Sequence, residues 1–226
     1  MQGKVFSDLA YKGGRPYIRG ADLLSFYLDL AGSRPAEYPA PERVDSLKLL
    51  REVERNGRWV RIEDSPAGAG GPEASASLAV RDAAGQVSGW AFLEQGGRIL
   101  RRAPAPASVV ERLVPTGDFA GEAVLRPGLD ARGLLDGLVE ANKAIHARFL
   151  QERGGNPASI RFTYLEGLPT PGRGGLLPGQ VGISLSLRGR RSGGGLAYTL
   201  NLACISWPGG EARCLICYAF QPEPNP

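Results

Sequence analysis

The stretch Tyr11-Lys12-Gly13-Gly14-Arg15-Pro16-Tyr17-Ile18-Arg19-Gly20-Ala21-Asp22-Leu23-Leu24-Ser25-Phe26-Tyr27 changes texture halfway through. Its first part cannot be helical, because Gly13-Gly14 opens φ space and Pro16 drives Arg15 out of the α region. After Gly20 the run Ala-Asp-Leu-Leu-Ser-Phe-Tyr-Leu-Asp-Leu-Ala is helical and mostly apolar, with Asp22 in the first turn where the helix dipole favours an anion. Gly32 is expected to close this helix. A helix apolar on most sides is wrapped by other structure.

Outward from this stretch, the pattern is a strand near residues 4–9, the loop and helix, then strands. Val44 to Ile62 reads as a hairpin turning at Asn56-Gly57, or as one long bulged strand. Ala74–Arg81 and Gln86–Gln95 form a hairpin turning at Asp82 to Gly85, and Arg98–Arg102 adds a short strand. Ala103 to Ala107, with Pro104 and Pro106, is the best linker.

Beyond the linker the plan returns. A strand at Gly121–Leu125 precedes a helix that runs from about Arg132 to Arg153 and stops at Gly154-Gly155. Strands are expected at Ser159–Glu166, Gln180–Arg190, Leu196–Ser206 and Glu211–Gln221, turning at Ser192 to Gly195 and at Pro208 to Gly210. Arg19-Gly20 and Arg132-Gly133 stand 113 positions apart, half the chain. One unit therefore reads as written twice, over 1–106 and 107–226. A β-sandwich with two peripheral helices is the competing architecture, and helices with a clean polar stripe would favour it.

With 226 residues, 42% hydrophobic and 22% charged, the chain has an ordinary globular composition and enough length for a core. Apolar runs fall short of a membrane span, and residues 1–8 have no signal-peptide apolar segment, so the reading is cytoplasmic. The net charge of +4 comes from scattered arginines. No basic stripe interleaves with stacking aromatics, so nucleic acid is not expected as a partner. Cys204, Cys214 and Cys217 read as reduced core thiols. A strand points Cys214 and Cys217 to opposite faces, and no second Cys/His pair completes a metal site.

The opening stretch resembles the active-site segment of the hotdog-fold acyl dehydratases, of the bacterial fatty-acid and polyketide-synthase types. Their pattern is His-Phe-Pro-x-x-Pro-x-x-Pro-Gly followed by an apolar helix. Pro16 and Gly20 match; the family's histidine falls on Tyr11 and its last proline on Arg19. Leu134-Leu135-Asp136-Gly137-Leu138-Val139-Glu140 resembles the polyketide dehydratase run Leu-Leu-Asp-Ala-x-x-Gln, with Asp136 at the acid and Glu140 at the glutamine. The resemblance implies an α+β tandem (double) hotdog, two curved antiparallel sheets each wrapped around one long helix.

It also implies a dehydratase-like lyase acting on β-hydroxyacyl or polyketide thioesters carried on acyl carrier protein or coenzyme A, with no cofactor and no metal; a homodimer is compatible with this. Asp136 would be the principal catalytic group, with Tyr11 and Glu140 beside it, and Gly20, Gly133 and Arg19 would bind substrate. Tyr11 is a poor general base, since phenols titrate near 10, so an isomerase, cyclase or hydrolase variant is expected. A hotdog thioesterase needs only a helix Asp or Glu to activate water.

The residues also carry bland readings. Asp22 and Asp136 could be helix-dipole residues, Glu140 could pair with Lys143, Tyr11 could be a packed loop aromatic, and His146 could be a hydrogen-bonded core histidine. A non-catalytic double hotdog that binds acyl groups or assembles a complex remains open. So does a tandem hotdog of the butyrolactone-autoregulator-synthase kind, whose Glu-x-x-Arg-Gln is faintly echoed by Glu140 to Ala144.

Overall fold

The computed structural model describes residues 5–12, 18–64, 73–171 and 175–221. The chain divides into two compact units, Met1–Ala107 and Ser108–Pro226. The class is α+β: each unit sets one helix against an antiparallel sheet, as a hotdog unit requires.

In the first unit, helix α1 (Gly20–Ser33) faces strands β2 (Arg43–Leu49), β3 (Arg55–Arg61), β4 (Ala74–Arg81) and β5 (Val87–Arg98). Their order in the sheet is β3-β5-β4-β2. Two-residue strands β1 (Tyr11–Lys12) and β6 (Arg102–Ala103) pair in parallel. The core is aromatic. Tyr27 of α1 packs edge-on to Trp59, Trp90 and Tyr38, with centroids 5.5–6.3 Å apart. Such pairs add about 0.5–1.5 kcal/mol each beyond area burial. Polar tips find partners: Trp59 Nε1 donates to the Leu23 carbonyl at 3.3 Å and the Tyr27 hydroxyl to that of Pro39 at 3.1 Å.

Several expectations are corrected here. Residues 5–10 form no strand. Instead the Ser7 amide donates to the Gly57 carbonyl at 2.8 Å and that of Leu9 to Asn56 Oδ1 at 2.8 Å. Asn56-Gly57 is no turn but lies inside β3, where Gly57 admits close approach of the β5 backbone. Gly32 lies within the last turn of α1, which runs to Ser33. The hairpin β4–β5 forms as read: the Asp82 carboxylate accepts from the amides of Ala84 and Gln86, and Gly85 takes φ +77°. Gly13 to Tyr17 and the Gly-rich segment at 66–71 lie outside the described residues.

In the second unit, β7 (Val110–Gly117) and β8 (Ala120–Leu125) precede helix α2 (Ala131–Glu152). After it come β9 (Arg161–Pro169), β10 (Val181–Gly193), β11 (Leu196–Trp207) and β12 (Gly210–Phe220). Sheet order is β9-β12-β11-β10-β8-β7. The sequence did not announce β7. It carries Pro115, tolerated because β7 ends the sheet, and its turn lacks glycine: Phe119 takes φ +56° and is held there by burial against His146, Phe149 and Phe220.

The repeat is one of plan, not of detail. In the second unit β10, β11 and β12 are successive neighbours, whereas in the first β5 lies between β3 and β4. Nor does the Arg-Gly register carry over. Arg19 is the N-cap of α1, but Arg132 and Gly133 already lie within α2.

Helix α2 changes character along its length. Its first half, up to Val139, has no exposed residue, while Glu140, Ala144, Arg148 and Glu152 form an exposed stripe at four-residue spacing. Gly137 packs closely: a β-carbon there would sit 2.5 Å from Leu125 Cδ1 and 3.1 Å from Val109 Cγ2, so those side-chain ends would have to shift.

Candidate functional site

Asp136 stands in the first half of α2, half-buried, on the face opposite the stripe Leu134, Leu138, Ala141 and Ile145 that α2 buries. Glu140, one turn further on the same face, is exposed and makes no ion pair with Lys143 among the described residues. Gly133 is spoken for: its amide donates to Asp130 Oδ1 at 2.7 Å, closing the N-terminus of α2 with an Asp cap.

In the first unit the expected site residues gather at the start of α1. Tyr11, half-buried, donates its amide to the Arg101 carbonyl at 3.0 Å, and the Arg102 guanidinium lies 5.9 Å from its ring centre. Gly20, buried, is the first residue of α1, and no side chain of the N-cap residue closes that helix. Arg19 is buried and grips Asp22 with two hydrogen bonds, of 2.9 and 3.0 Å. Lys12 Nζ reaches the same carboxylate at 2.8 Å.

Asp22 is thus more than a helix-dipole residue. Burial raises its pKa, but the hydrogen bonds and charges of Arg19 and Lys12 outweigh this and hold the carboxyl below its ordinary value. Sequence reasoning missed this buried triad. The i,i+3 spacing of Arg19 and Asp22 is the signal that could have shown it.

His146 is a core residue. Its Nδ1 donates to the Asn142 carbonyl at 2.8 Å, and Nε2 accepts from Thr199 Oγ1 at 2.6 Å. Phe119, Tyr218 and Phe220 surround the ring. Burial pulls its pKa down to about 4, against a smaller upward pull from the Asn142 carbonyl. Both ring nitrogens of the chain's one histidine are therefore engaged inside the core.

The thiols are corrected as well. Cys214 is buried and Cys217 faces the other side of β12, but Cys204 is exposed, so one of the three is a core thiol. No group of three or more His, Cys, Asp or Glu side chains able to hold a metal occurs among the described residues. No helix among them is long and apolar enough to cross a membrane.

No protein-family model matches the chain, and no curated protein matches it in sequence. Among solved structures it is similar to a tesB protein of Mycobacterium avium subsp. paratuberculosis, 16% identical over 96% of both chains with a TM-score of 0.48. It is also similar to a Lactobacillus plantarum protein assigned as an oleoyl thioesterase, 12% identical over 92% of this chain and 91% of that one, TM-score 0.44. A monomeric dehydratase domain from a trans-AT polyketide synthase split module is 11% identical over 96% of this chain and 99% of that one, TM-score 0.38.

Proposed function

We propose that the chain is a tandem hotdog enzyme acting on acyl thioesters, carried on coenzyme A or an acyl carrier protein, with Asp136 as its principal acid–base group. The observation that carries this is the position of Asp136. It is half-buried in the first half of α2, opposite the stripe that the helix buries, within a run resembling the acid-bearing helix of the polyketide dehydratases.

Hydrolysis is the reaction the side chains suit best. The Asp136 carboxylate takes a proton from water, the hydroxide adds to the thioester carbonyl, and the tetrahedral intermediate expels the thiolate. This chemistry needs one carboxylate and no histidine. Gly20, at the start of α1 where the N-cap side chain makes no capping bond, is the better candidate for supporting the oxyanion, because the Gly133 amide is already held by Asp130. Tyr11 is proposed as a hydrogen-bond donor to the thioester, and Glu140 as a secondary carboxylate that its exposure makes dispensable.

A dehydratase-like reading rests on the Leu134-Leu135-Asp136 run, with Asp136 protonating a departing β-hydroxyl. The engaged state of His146 argues against it, since no histidine is left to remove the α-proton.

The test offers acyl- and β-hydroxyacyl-thioesters to wild type, Asp136→Asn and Tyr11→Phe, following thiol release and enoyl formation separately. Thiol release lost in Asp136→Asn and reduced in Tyr11→Phe supports hydrolysis, and enoyl formation supports the second reading. Full turnover by Asp136→Asn rejects both. Binding of acyl carrier without turnover in wild type favours the non-catalytic alternative.

A further inference from the structure

The interior of the second unit is polar where a core is ordinarily apolar. Asn142, His146 and Asn201 are fully buried, and Thr199 almost so. His146 and Thr199 satisfy each other, but Asn142 Nδ2, Asn142 Oδ1 and Asn201 Oδ1 have no partner among the described residues. Asn201 Nδ2 is used, donating to the Phe119 carbonyl at 2.5 Å. An amide buried with nothing to bond forfeits about 1–3 kcal/mol per group, so three such atoms in one core need an explanation.

The chain directions bring the two amides to the same place. Ile145 lies over Gly121, and Gly137 over Leu125, so β8 runs opposite to α2. Strand β11 is two antiparallel steps from β8 and shares its direction. From the His146–Thr199 contact, Asn142 is one helical turn back on α2, about 6 Å. Asn201 is two residues forward on the same face of β11, about 7 Å. Both steps lead toward the N-terminal end of α2. The two side chains therefore converge, yet they are not within bonding distance of each other.

We propose that Asn142 and Asn201 enclose an internal hydration site, in which one or two water molecules bridge the α2 and β11 amides. The ligand is a small neutral donor–acceptor. The site presents one amide donor and two carbonyl acceptors, the two to four partners that a buried water takes. An ion is disfavoured, because the groups bordering the site are neutral: His146 holds a single proton on Nδ1, and Thr199, Tyr218 and Phe119 carry no charge. The Arg190 guanidinium is occupied against the rings of Phe119 and Phe220, 5.8 and 5.9 Å from their centres. With the Tyr218 hydroxyl donating to the Val139 carbonyl at 2.9 Å, the bridge would complete a polar seam that fixes α2 on its sheet.

The experiment is a crystal structure of the full chain at a resolution that shows ordered water, with thermal unfolding of Asn142→Leu, Asn201→Leu and the double variant. Density for water within hydrogen-bond reach of both amides is expected. Each single variant should lower Tm by at least about 2–4 °C. The double variant should cost less than the sum, because both remove one shared bridge. The proposal is overturned by the two amides bonding each other or the backbone with no water between them. It is equally overturned if Asn142→Leu raises Tm, as relief of an unpartnered amide would, or if the two losses simply add. The wild-type density decides the matter should a leucine variant fail to fold.

Discussion

His146 Nε2 lies 2.6 Å from Thr199 Oγ1, tying the middle of α2 to β11 through a neutral imidazole. This contact gives the second unit a pH dependence. Burial lowers the folded pKa from 6.5 to about 4, so the folded state binds fewer protons at this ring than the unfolded chain does. The stability it contributes is complete above the unfolded value of 6.5 and is lost progressively from there down to about 4. At about 1.4 kcal/mol per pH unit the loss is on the order of 3 kcal/mol. Urea unfolding at pH 7 and pH 4 should show it, and His146→Gln should unfold with a markedly flatter pH dependence over that interval.

Gly57 makes a separate demand on the first unit. A β-carbon there would sit 2.2 Å from the Leu93 carbonyl oxygen and 2.8 Å from Phe92 Cζ. Gly57→Ala must push β3 away from β5, and a loss of at least about 2 kcal/mol is expected. Gly32→Ala is the control. A β-carbon there meets nothing within 4 Å, and alanine in a helix is favoured over glycine by about 1 kcal/mol. Denaturant midpoints that move in opposite directions for the two variants would bear this out, and equal midpoints would refute it.

Asp22 is the hinge of the ion triad with Lys12 and Arg19. Asp22→Asn removes the charge and leaves a buried guanidinium facing an amide, a change worth on the order of 3 kcal/mol. Its carboxyl is held below its ordinary pKa, so its contribution is present above the unfolded value of 3.8 and is lost as pH falls through the lower folded one. Wild type should therefore lose stability below pH 3.8 along a slope that Asp22→Asn lacks. A variant as stable as wild type at pH 7 would show the triad to be incidental.

Periodicity made the two helices and most of the strands after α2 legible in the sequence, because apolar spacing and Gly-containing turns coincide there. Glycines at 194, 195 and 209 take the positive φ that the β10–β11 and β11–β12 turns require. Legibility failed where one residue type serves two purposes. Asn56-Gly57 has the composition of a turn, yet Asn56 fastens the segment at Ser7 to Leu9 and Gly57 admits a neighbouring strand. Strand β7 was hidden by Pro115 and by a turn whose left-handed residue is phenylalanine. The helix that carries Asp136 was readable from its apolar spacing and the Gly154-Gly155 stop. The Arg19–Asp22–Lys12 triad was not, because Lys12 lies outside the helical spacing that links Arg19 and Asp22.

The thiols give a prediction that separates strand geometry from composition. Alternation along β12 turns Cys214 into the core of the second unit and Cys217 outward, half-buried, while Cys204 on β11 is exposed beside Arg213, its cross-strand partner. Burial pushes the Cys214 thiol up to about 12, with a smaller contribution from Cys204. At neutral pH that sulfur is protonated and shielded, and the thiolate is the reactive species. A disulfide reagent under native conditions should therefore modify Cys204 quickly, Cys217 more slowly, and Cys214 only at the rate of unfolding. Cys214→Ser should leave the fast phase unchanged, whereas Cys204→Ser should abolish it. Fast modification of Cys214 in the native protein would mean that β12 is paired one residue out of this register, with its other face toward α2.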